Sequence, residues 1–153
     1  MSVPIMVGKK VQDFKLHDHN EKEVVLSSLA GRKVLLSFHP LAWTGICTQQ
    51  MQDLDQAYSA FTDLNTVPLG VSVDTVPSKK AWAESMGLKS LQLVADFWPH
   101  GDLAKKLGIF REANGFSERA NVLLDEQGNV EWIKVYEIKT LPNLDEVFAQ
   151  LKK

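Results

Sequence analysis

The stretch "KVLLSFHPLAWTGICTQQMQDL", residues 33–54, sets the fold class and contains the only cysteine of the chain. Its first part, residues 33–40, is an almost continuous apolar run that ends at Pro40, which is typical of a buried strand. Large side chains then recur at the spacing of one face of a long amphipathic helix: Met51, Leu54, Tyr58 and Phe61. Cys47 therefore lies where a predicted strand and turn lead into a predicted helix.

The remainder of the chain continues the alternation of strands and helices. Apolar runs predict four further strands, the last two forming an antiparallel hairpin: residues 67–74, 91–96, 119–125 and 130–137. Further helices are predicted from Pro77 to a stop at Gly87, with Trp82 and Met86 inward, and over 101–108 and 141–153. This order indicates the α/β class, with a central mixed sheet covered on both faces.

Length and composition limit the class of protein. A chain of 153 residues suits one domain, predicted over 1–153, and 44% apolar with 24% charged residues is typical of a soluble globular protein. A net charge of −2 without a long basic run argues against nucleic acid as a partner. No apolar stretch approaches the roughly 20 residues of a membrane span, and the start lacks the apolar core of a secretory signal. A single cysteine cannot form an internal disulfide, which fits a reducing compartment, and we expect the cytoplasm.

The position of Cys47 favours a reactive thiol. It lies four residues before Met51, on the inward face of the predicted helix, and Thr44 as N-cap would place it three residues inside. The first backbone N–H groups of a helix have no helical partner, and the helix dipole favours negative charge there. Both effects favour the thiolate, which is the nucleophilic form of cysteine. From position alone, a small buried hydrophobic residue stays an open alternative.

The neighbours of Cys47 carry a family resemblance. "PLAWTGIC", residues 40–47, has the pattern P-x-x-x-T-x-x-C and resembles the active-site signature of the peroxiredoxins, thiol peroxidases of the thioredoxin superfamily. The blocks "LGVSVD", "VADFWPHGDLAKKLGIF" and "ERANVLLDEQG" resemble family blocks in the family's order, so the likeness covers nearly the whole chain. Through "PLAWTGIC" and "DFWPHG" it resembles the bacterial one-cysteine group called alkyl hydroperoxide reductase E. The resemblance implies a thioredoxin-like fold.

The resemblance also assigns roles to site residues. It implies that Cys47 is the peroxidatic cysteine and that Thr44 offers its hydroxyl to the sulfur and to a peroxide oxygen. Pro40 would cover the thiolate and exclude water, and Arg119 would supply a fixed cation beside it. Without the resemblance, Arg119 would be interpreted as an ordinary surface arginine. The backbone N–H groups of Ile46 and Cys47 would hold the peroxide oxygens, and neither a cofactor nor a metal is implied.

Three positions depart from the family pattern. Gly45 stands where the family often has proline, which predicts a looser turn with activity retained. Gln50 stands where the family usually has glutamate, which predicts weaker support for the arginine. His39 replaces a frequent aromatic residue; it is either close to the sulfur or a hydrogen-bonded histidine at a strand end. The candidate substrate-binding residues are Ile46, His39 and Gln50.

Two further features have competing interpretations. His17 and His19, in residues 16–20, are a weak metal candidate without further ligands, so we predict a solvated turn. Trp43 and Trp98 either pack in the core or form a face beside the active site for a homodimer or higher homo-oligomer. We favour the second because aromatic residues are enriched at interfaces.

The favoured function is a thiol-dependent peroxidase that reduces hydrogen peroxide and organic hydroperoxides through a sulfenic acid on Cys47. No second cysteine resolves that acid within the chain, so the reductant must be external: thioredoxin, a glutaredoxin- or mycoredoxin-type protein, or a low-molecular-weight thiol. The alternatives are a non-enzymatic redox sensor that acts through oxidation of Cys47, and a thioredoxin-fold binding module with an inert cysteine.

Overall fold

Residues 3–153 are described by the structure, which is a computed structural model. Met1 and Ser2, where the predicted domain and the expectation of no secretory signal both begin, lie outside the described residues.

A mixed sheet of seven strands forms the centre of the fold, in the order β2-β1-β5-β4-β3-β8-β9. Strands β3, β4 and β5 run parallel to one another, whereas β1, β2, β8 and β9 are joined by antiparallel pairing. A separate two-stranded ribbon pairs β6 with β7. The strands are β1 Lys15–Asp18, β2 Glu23–Val25, β3 Lys33–Phe38, β4 Thr66–Ser72, β5 Gln92–Ala95, β6 Phe110–Arg111, β7 Phe116–Ser117, β8 Arg119–Leu124 and β9 Val130–Tyr136. The predicted mixed sheet and its terminal hairpin are confirmed.

Helices cover both faces of this sheet, as the sequence predicts. They are α1 Gly45–Gln56, α2 Tyr58–Asp63, α3 Val76–Met86, α4 Asp102–Lys106 and α5 Leu144–Leu151, with a 3-10 turn over Leu26–Leu29. Alternate residues of β3 enter two separate cores: Leu35 packs with α1, α2, α3 and α5, while Leu36 packs with α4 on the opposite face. The period of two follows from the pleat, which points successive side chains to opposite faces.

The predicted long helix after Cys47 is wrong in one respect. The chain forms two helices, because Ala57 leaves the helical region at φ −89° and ψ 5° and interrupts the pattern for one residue. Leu54 and Phe61, on either side of the break, are fully buried, whereas Tyr58 is only half-buried. The apolar spacing therefore continues across the break although the helix does not.

The prediction of a solvated turn over residues 16–20 is also wrong for its first half. His17 pairs with Glu23 on one side and with Ala95 on the other, so it belongs to β1 inside the sheet. The Asp18 carboxylate is buried and accepts the backbone N–H groups of Asn20 and Lys22, which closes the turn to β2. A strand of four residues is too short for its alternation to be recognised in the sequence.

The sheet places the start of α1 at the carboxyl end of β3. Gly70 on β4 lets α1 approach closely, because a Cβ atom there would lie 2.4 Å from Met51 Sδ. The connection between β3 and α1 is the segment 39–44, which we call the active-site loop. Its position above the ends of three parallel strands is where ligands commonly bind in open α/β sheets.

Candidate functional site

The active-site loop is held by hydrogen bonds to the neighbouring strand. The His39 N–H donates to Val71 O at 3.0 Å, and the Ala42 N–H donates to Asp74 Oδ2 at 2.8 Å. Trp43 adopts a left-handed backbone conformation with φ 74°, and its indole N–H donates to Ser78 Oγ at 3.0 Å. A loop fixed at several points presents the next residues, the first turn of α1, in a defined position.

Cys47 is the third residue of α1, and its side chain has no solvent-exposed surface. The prediction that Thr44 occupies the N-cap is confirmed, but its hydroxyl donates to Leu41 O at 3.0 Å instead of capping the helix. No side chain in the described part of the chain caps this first turn. The N–H groups of Ile46 and Cys47 therefore stay available for an anionic or polar ligand.

Arg119 supplies a cation in direct contact with the sulfur. It is the first residue of β8, is only 2% exposed, and places Nη1 3.3 Å from Cys47 Sγ. Its Nε donates to Ile138 O at 2.9 Å and its Nη1 donates to Gln50 Oε1 at 2.7 Å. The interpretation of Arg119 as a surface arginine is thus excluded, because the side chain is buried and directed at the thiol.

Gln50 fixes the arginine from α1. Its amide oxygen accepts from Arg119, and its amide nitrogen donates to Ser37 Oγ at 2.8 Å and to Phe38 O at 3.2 Å. An amide can accept and donate at the same time, whereas an ionised carboxylate can only accept. The hydrogen bond between Gln50 and Arg119 is present, and the amide also satisfies a strand carbonyl that a glutamate would not. Weaker support for the arginine than a glutamate would give stays a prediction.

A cleft of about 280 Å³ opens beside Arg119 and the first residues of α1, and among residues 3–153 the buried Cys47 is not one of those that line it. Its walls are largely apolar, with the cations of Arg119 and Lys139 among them, and its lining is Pro40, Leu41, Thr44, Gly45, Ile46, Phe116, Arg119, Ile138 and Lys139. Pro40 is buried and Thr44 is exposed at the opening. A small molecule with an apolar tail and a polar reacting group fits such a lining.

His39 immediately precedes Pro40. Among residues 3–153, it is not one of those that line the cleft. Its ring is fully buried, packs against Trp82 with ring centroids 5.2 Å apart, and has Nε2 3.4 Å from Lys79 Nζ. Burial lowers the pKa of His39 well below its usual value, and the charges of Lys79 and Arg119 lower it further. His39 is therefore a neutral, hydrogen-bonded residue at the end of β3.

Sequence reasoning missed Lys79, which is completely buried behind the active-site loop. Its Nζ donates to Ser72 Oγ, and Ser72 Oγ donates to Asp74 Oδ2 at 2.6 Å. The sequence did contain a signal for this burial. Lys79 precedes the inward-facing Trp82 by three residues and therefore lies on the same face of α3.

Two other predicted features have defined surroundings. His19 Nδ1 accepts the Leu93 N–H at 3.1 Å, which leaves this ring nitrogen engaged in the sheet edge. Within residues 3–153, no group of three or more His, Cys, Asp or Glu side chains is placed to hold a metal ion. Trp43 and Trp98 are 54% and 77% exposed, so core packing is excluded for both. None of the helices between residues 3 and 153 has the length and apolar character needed to cross a membrane.

The arrangement is suited to nucleophilic attack by sulfur. A thiol at a helix start, beside a fixed guanidinium and uncapped N–H groups, is placed where negative charge is stabilised. The same donors would stabilise charge that develops on an oxygen atom brought into the cleft.

Comparison with known proteins yields one consistent family. The AhpC/TSA family profile matches residues 7–133. Alkyl hydroperoxide reductase E of Mycobacterium tuberculosis is 35% identical over 130 residues, covering 84% of this chain and 84% of that protein. Peroxiredoxin 2 of Thermoplasma acidophilum is 30% identical over 151 residues, covering 95% of this chain and 74% of that protein.

Solved structures show the same fold. The reduced 2-Cys peroxiredoxin of Plasmodium vivax superposes with a TM-score of 0.89 at 28% identity, covering 97% of this chain and 81% of that chain. Enterococcus faecalis AhpC superposes with a TM-score of 0.88 at 26% identity, covering 95% of this chain and 90% of that chain. The predicted thioredoxin-like α/β fold is confirmed.

Proposed function

Because the chain belongs to the AhpC/TSA family of peroxiredoxins, we propose that it reduces hydrogen peroxide and organic hydroperoxides by a one-cysteine cycle on Cys47. Thiol peroxidase activity follows from the family. The observation that carries the choice of residue is the 3.3 Å contact between Arg119 Nη1 and Cys47 Sγ, since Cys47 is the only thiol in the sequence.

In the first half of the cycle, the Cys47 thiolate attacks the terminal oxygen of a hydroperoxide. The S–O bond forms as the O–O bond breaks, so sulfur loses two electrons and the peroxide gains them. The departing oxygen takes a proton and leaves as water or an alcohol, and Cys47 becomes a sulfenic acid. Arg119 and the N–H groups of Ile46 and Cys47 would stabilise the negative charge on the departing oxygen.

Pro40 and Thr44 complete the proposed site. Pro40 is buried in the cleft wall beside the sulfur, which supports a role in excluding water. The Thr44 hydroxyl lies at the cleft opening and would turn from Leu41 O to a bound peroxide oxygen, since a hydroxyl rotates to suit its partner. Gln50 acts through Arg119, and His39 lies behind Pro40.

The second half of the cycle requires a thiol from outside the chain. A reductant thiol would attack the sulfenic sulfur, release water and form a mixed disulfide. A second thiol would then attack the reductant's sulfur, restore Cys47 and release the oxidised reductant. Candidate donors are a thioredoxin, a glutaredoxin- or mycoredoxin-type protein and a low-molecular-weight thiol.

Steady-state peroxide consumption with this panel of donors tests the proposed function. We expect repeated turnover with at least one donor and none with the donors omitted. A single stoichiometric oxidation of Cys47 with every donor would support a redox sensor instead. The absence of any peroxide-dependent oxidation would support a binding module with an inert cysteine.

Overoxidation is expected when peroxide is in excess and the reductant is absent. The sulfenic acid has no thiol in its own chain to trap it, so a second peroxide can convert it to sulfinic acid. Intact mass spectrometry should show a gain of two oxygen atoms that dithiothreitol does not reverse. A persistent single-oxygen product at large excess would contradict an unprotected sulfenic acid.

We also propose a homodimer formed through the loops that carry Trp43 and Trp98. These side chains are exposed, as are Leu41 and Phe97 in the same loops, and each tryptophan can bury on the order of 150–250 Å². A symmetric dimer would let the same patch cover itself. Ordering the loop of Trp43 would also steady Thr44 and Cys47.

Trp98→Glu should therefore weaken association and slow the peroxide step together. Light scattering across micromolar concentrations measures the first effect, and single-turnover oxidation measures the second. Val135→Glu is the matched control, because Val135 is exposed on the edge strand β9. A monomer throughout would contradict the proposal, and dissociation by Val135→Glu alone would place the interface at the β9 edge near Trp132.

A further inference from the structure

Lys79 is an ammonium group inside the protein, linked to the active-site loop at two points. Its Nζ donates to Ser72 Oγ and lies 3.4 Å from His39 Nε2. The Ser72 hydroxyl donates a hydrogen bond to Asp74 Oδ2, and the same oxygen accepts a hydrogen bond from the N–H of Ala42. An ammonium only donates hydrogen bonds, so the direction of this chain is fixed from Lys79 toward the loop.

We propose that Lys79 is a positioning residue for the peroxide reaction: its buried ammonium holds the active-site loop through His39 and through the Ser72–Asp74 pair, so that Cys47 meets Arg119 in the reactive arrangement. This inference rests on the proposed function of Cys47. It adds a second cation, placed behind the loop, to the one that touches the sulfur.

Lys79 is surrounded by charged groups from several neighbouring elements. Burial lowers the pKa of Lys79 to about 7, while Asp74 after β4, the Cys47 thiolate on α1 and Asp96 after β5 act to raise it. The neutral His39 ring faces the Lys79 ammonium as a hydrogen-bond acceptor. On the far side, burial lowers the pKa of His19, which follows β1, and the charge of Lys79 lowers it further.

Loss of the Lys79 proton would loosen the loop. A neutral amine donates fewer hydrogen bonds and is not attracted to the Asp74 carboxylate, so the links to His39 and Ala42 weaken together. The interaction between Lys79 and the Cys47 thiolate is mutual, so the neutral amine also withdraws support from the ionised sulfur. The rate of Cys47 oxidation should therefore fall as the pH rises through about 7.

The free energy of unfolding should rise over the same pH interval in which the rate of Cys47 oxidation falls. The pKa of Lys79 in the folded protein, about 7, lies below its ordinary value of 10.5. Between these values the unfolded chain binds the additional proton, so the Lys79 contribution to the free energy of unfolding rises with pH. A residue with a merely structural role would not couple faster oxidation to lower stability.

The test is single-turnover oxidation by hydrogen peroxide, followed by tryptophan fluorescence between about pH 5.5 and about pH 9.5. Wild type should show an alkaline limb from Lys79. Lys79→Met should lose the alkaline limb and react roughly three- to tenfold more slowly at neutral pH. Its resistance to urea should equal or exceed that of wild type, because an apolar side chain replaces a buried ion.

Lys80→Met is the matched control, since Lys80 is the next residue of α3 and is exposed. It should keep the wild-type rate and the alkaline limb. If Lys79→Met does not fold, Ser72→Ala serves instead, because it removes the hydroxyl between Lys79 and Asp74 and should diminish the alkaline limb. Wild-type oxidation without an alkaline limb, or a limb retained in Lys79→Met, overturns the inference. Wild type that peroxide does not oxidise at all would overturn the proposed function instead.

Discussion

Replacement of Cys47 by serine should abolish peroxide consumption. Serine has nearly the same shape, but its hydroxyl is not ionised at neutral pH and cannot form a sulfenic acid. Loss of a nucleophile that forms a covalent intermediate commonly costs on the order of 10⁶ in rate, which places the residual activity at background. Steady-state consumption with the best donor measures the loss.

The fold should survive this substitution. Cys47 is completely buried among the side chains that join α1 to the sheet, and serine fills almost the same volume. Burial of a hydroxyl should lower the free energy of unfolding by about 1–3 kcal/mol. Circular dichroism and a denaturant curve check this, and Ser59→Ala is a suitable control because Ser59 is exposed on α2. Consumption by Cys47→Ser at the wild-type rate would place the chemistry elsewhere.

Arg119→Ala should slow oxidation of Cys47 by roughly 10²–10³, the usual cost of one lost donor to developing negative charge. The guanidinium contacts Cys47 Sγ, Gln50 Oε1 and Ile138 O, so its removal deprives three acceptors at once. Alkylation of Cys47 at neutral pH should also slow, because the nucleophilic thiolate loses its neighbouring cation. Alkylation that is as fast in Arg119→Ala as in wild type would contradict the activated thiol.

Two further variants show whether charge or geometry is responsible. Arg119→Lys keeps the charge but cannot reproduce the planar fork, so it should recover only part of the rate. Arg111→Ala removes an arginine that is paired with Glu118 at the surface, and it should leave the oxidation rate unchanged. Equal rates for Arg119→Ala and wild type would exclude the guanidinium from the reaction.

The candidate site was predictable from sequence where local pattern determines position. The apolar run into Pro40 and the helical spacing from Met51 located Cys47 on the first turn of α1, with Thr44 at the N-cap. The position of Arg119 depended on the family resemblance, because the pairing of β8 with β3 brings it to Cys47 from 72 residues away. No local pattern reports such a contact.

Two residues show what was hard to predict from the sequence. For Gln50, a family comparison reports the residue type but not that its amide meets a donor and two acceptors together. For Lys79, the inward position on α3 was a signal, but charged residues on helices are mostly solvated, so the sequence alone favours exposure. Its polar partners, Ser72 at the end of β4 and His39 at the end of β3, are distant from it in sequence.

Because Cys47 is completely buried, neither a peroxide nor a reductant can touch its sulfur unless the surrounding residues move. A hydroperoxide group is only two atoms wide, so from the cleft of about 280 Å³ it needs only a small displacement of the wall to reach the sulfur. A thiol carried on another protein arrives with its own backbone and needs a much larger opening. Reduction by a protein therefore requires the first turn of α1 to open widely, with loss of bonds such as Trp82 Nε1 to Thr48 Oγ1 at 3.2 Å, whereas oxidation by a small peroxide requires far less movement.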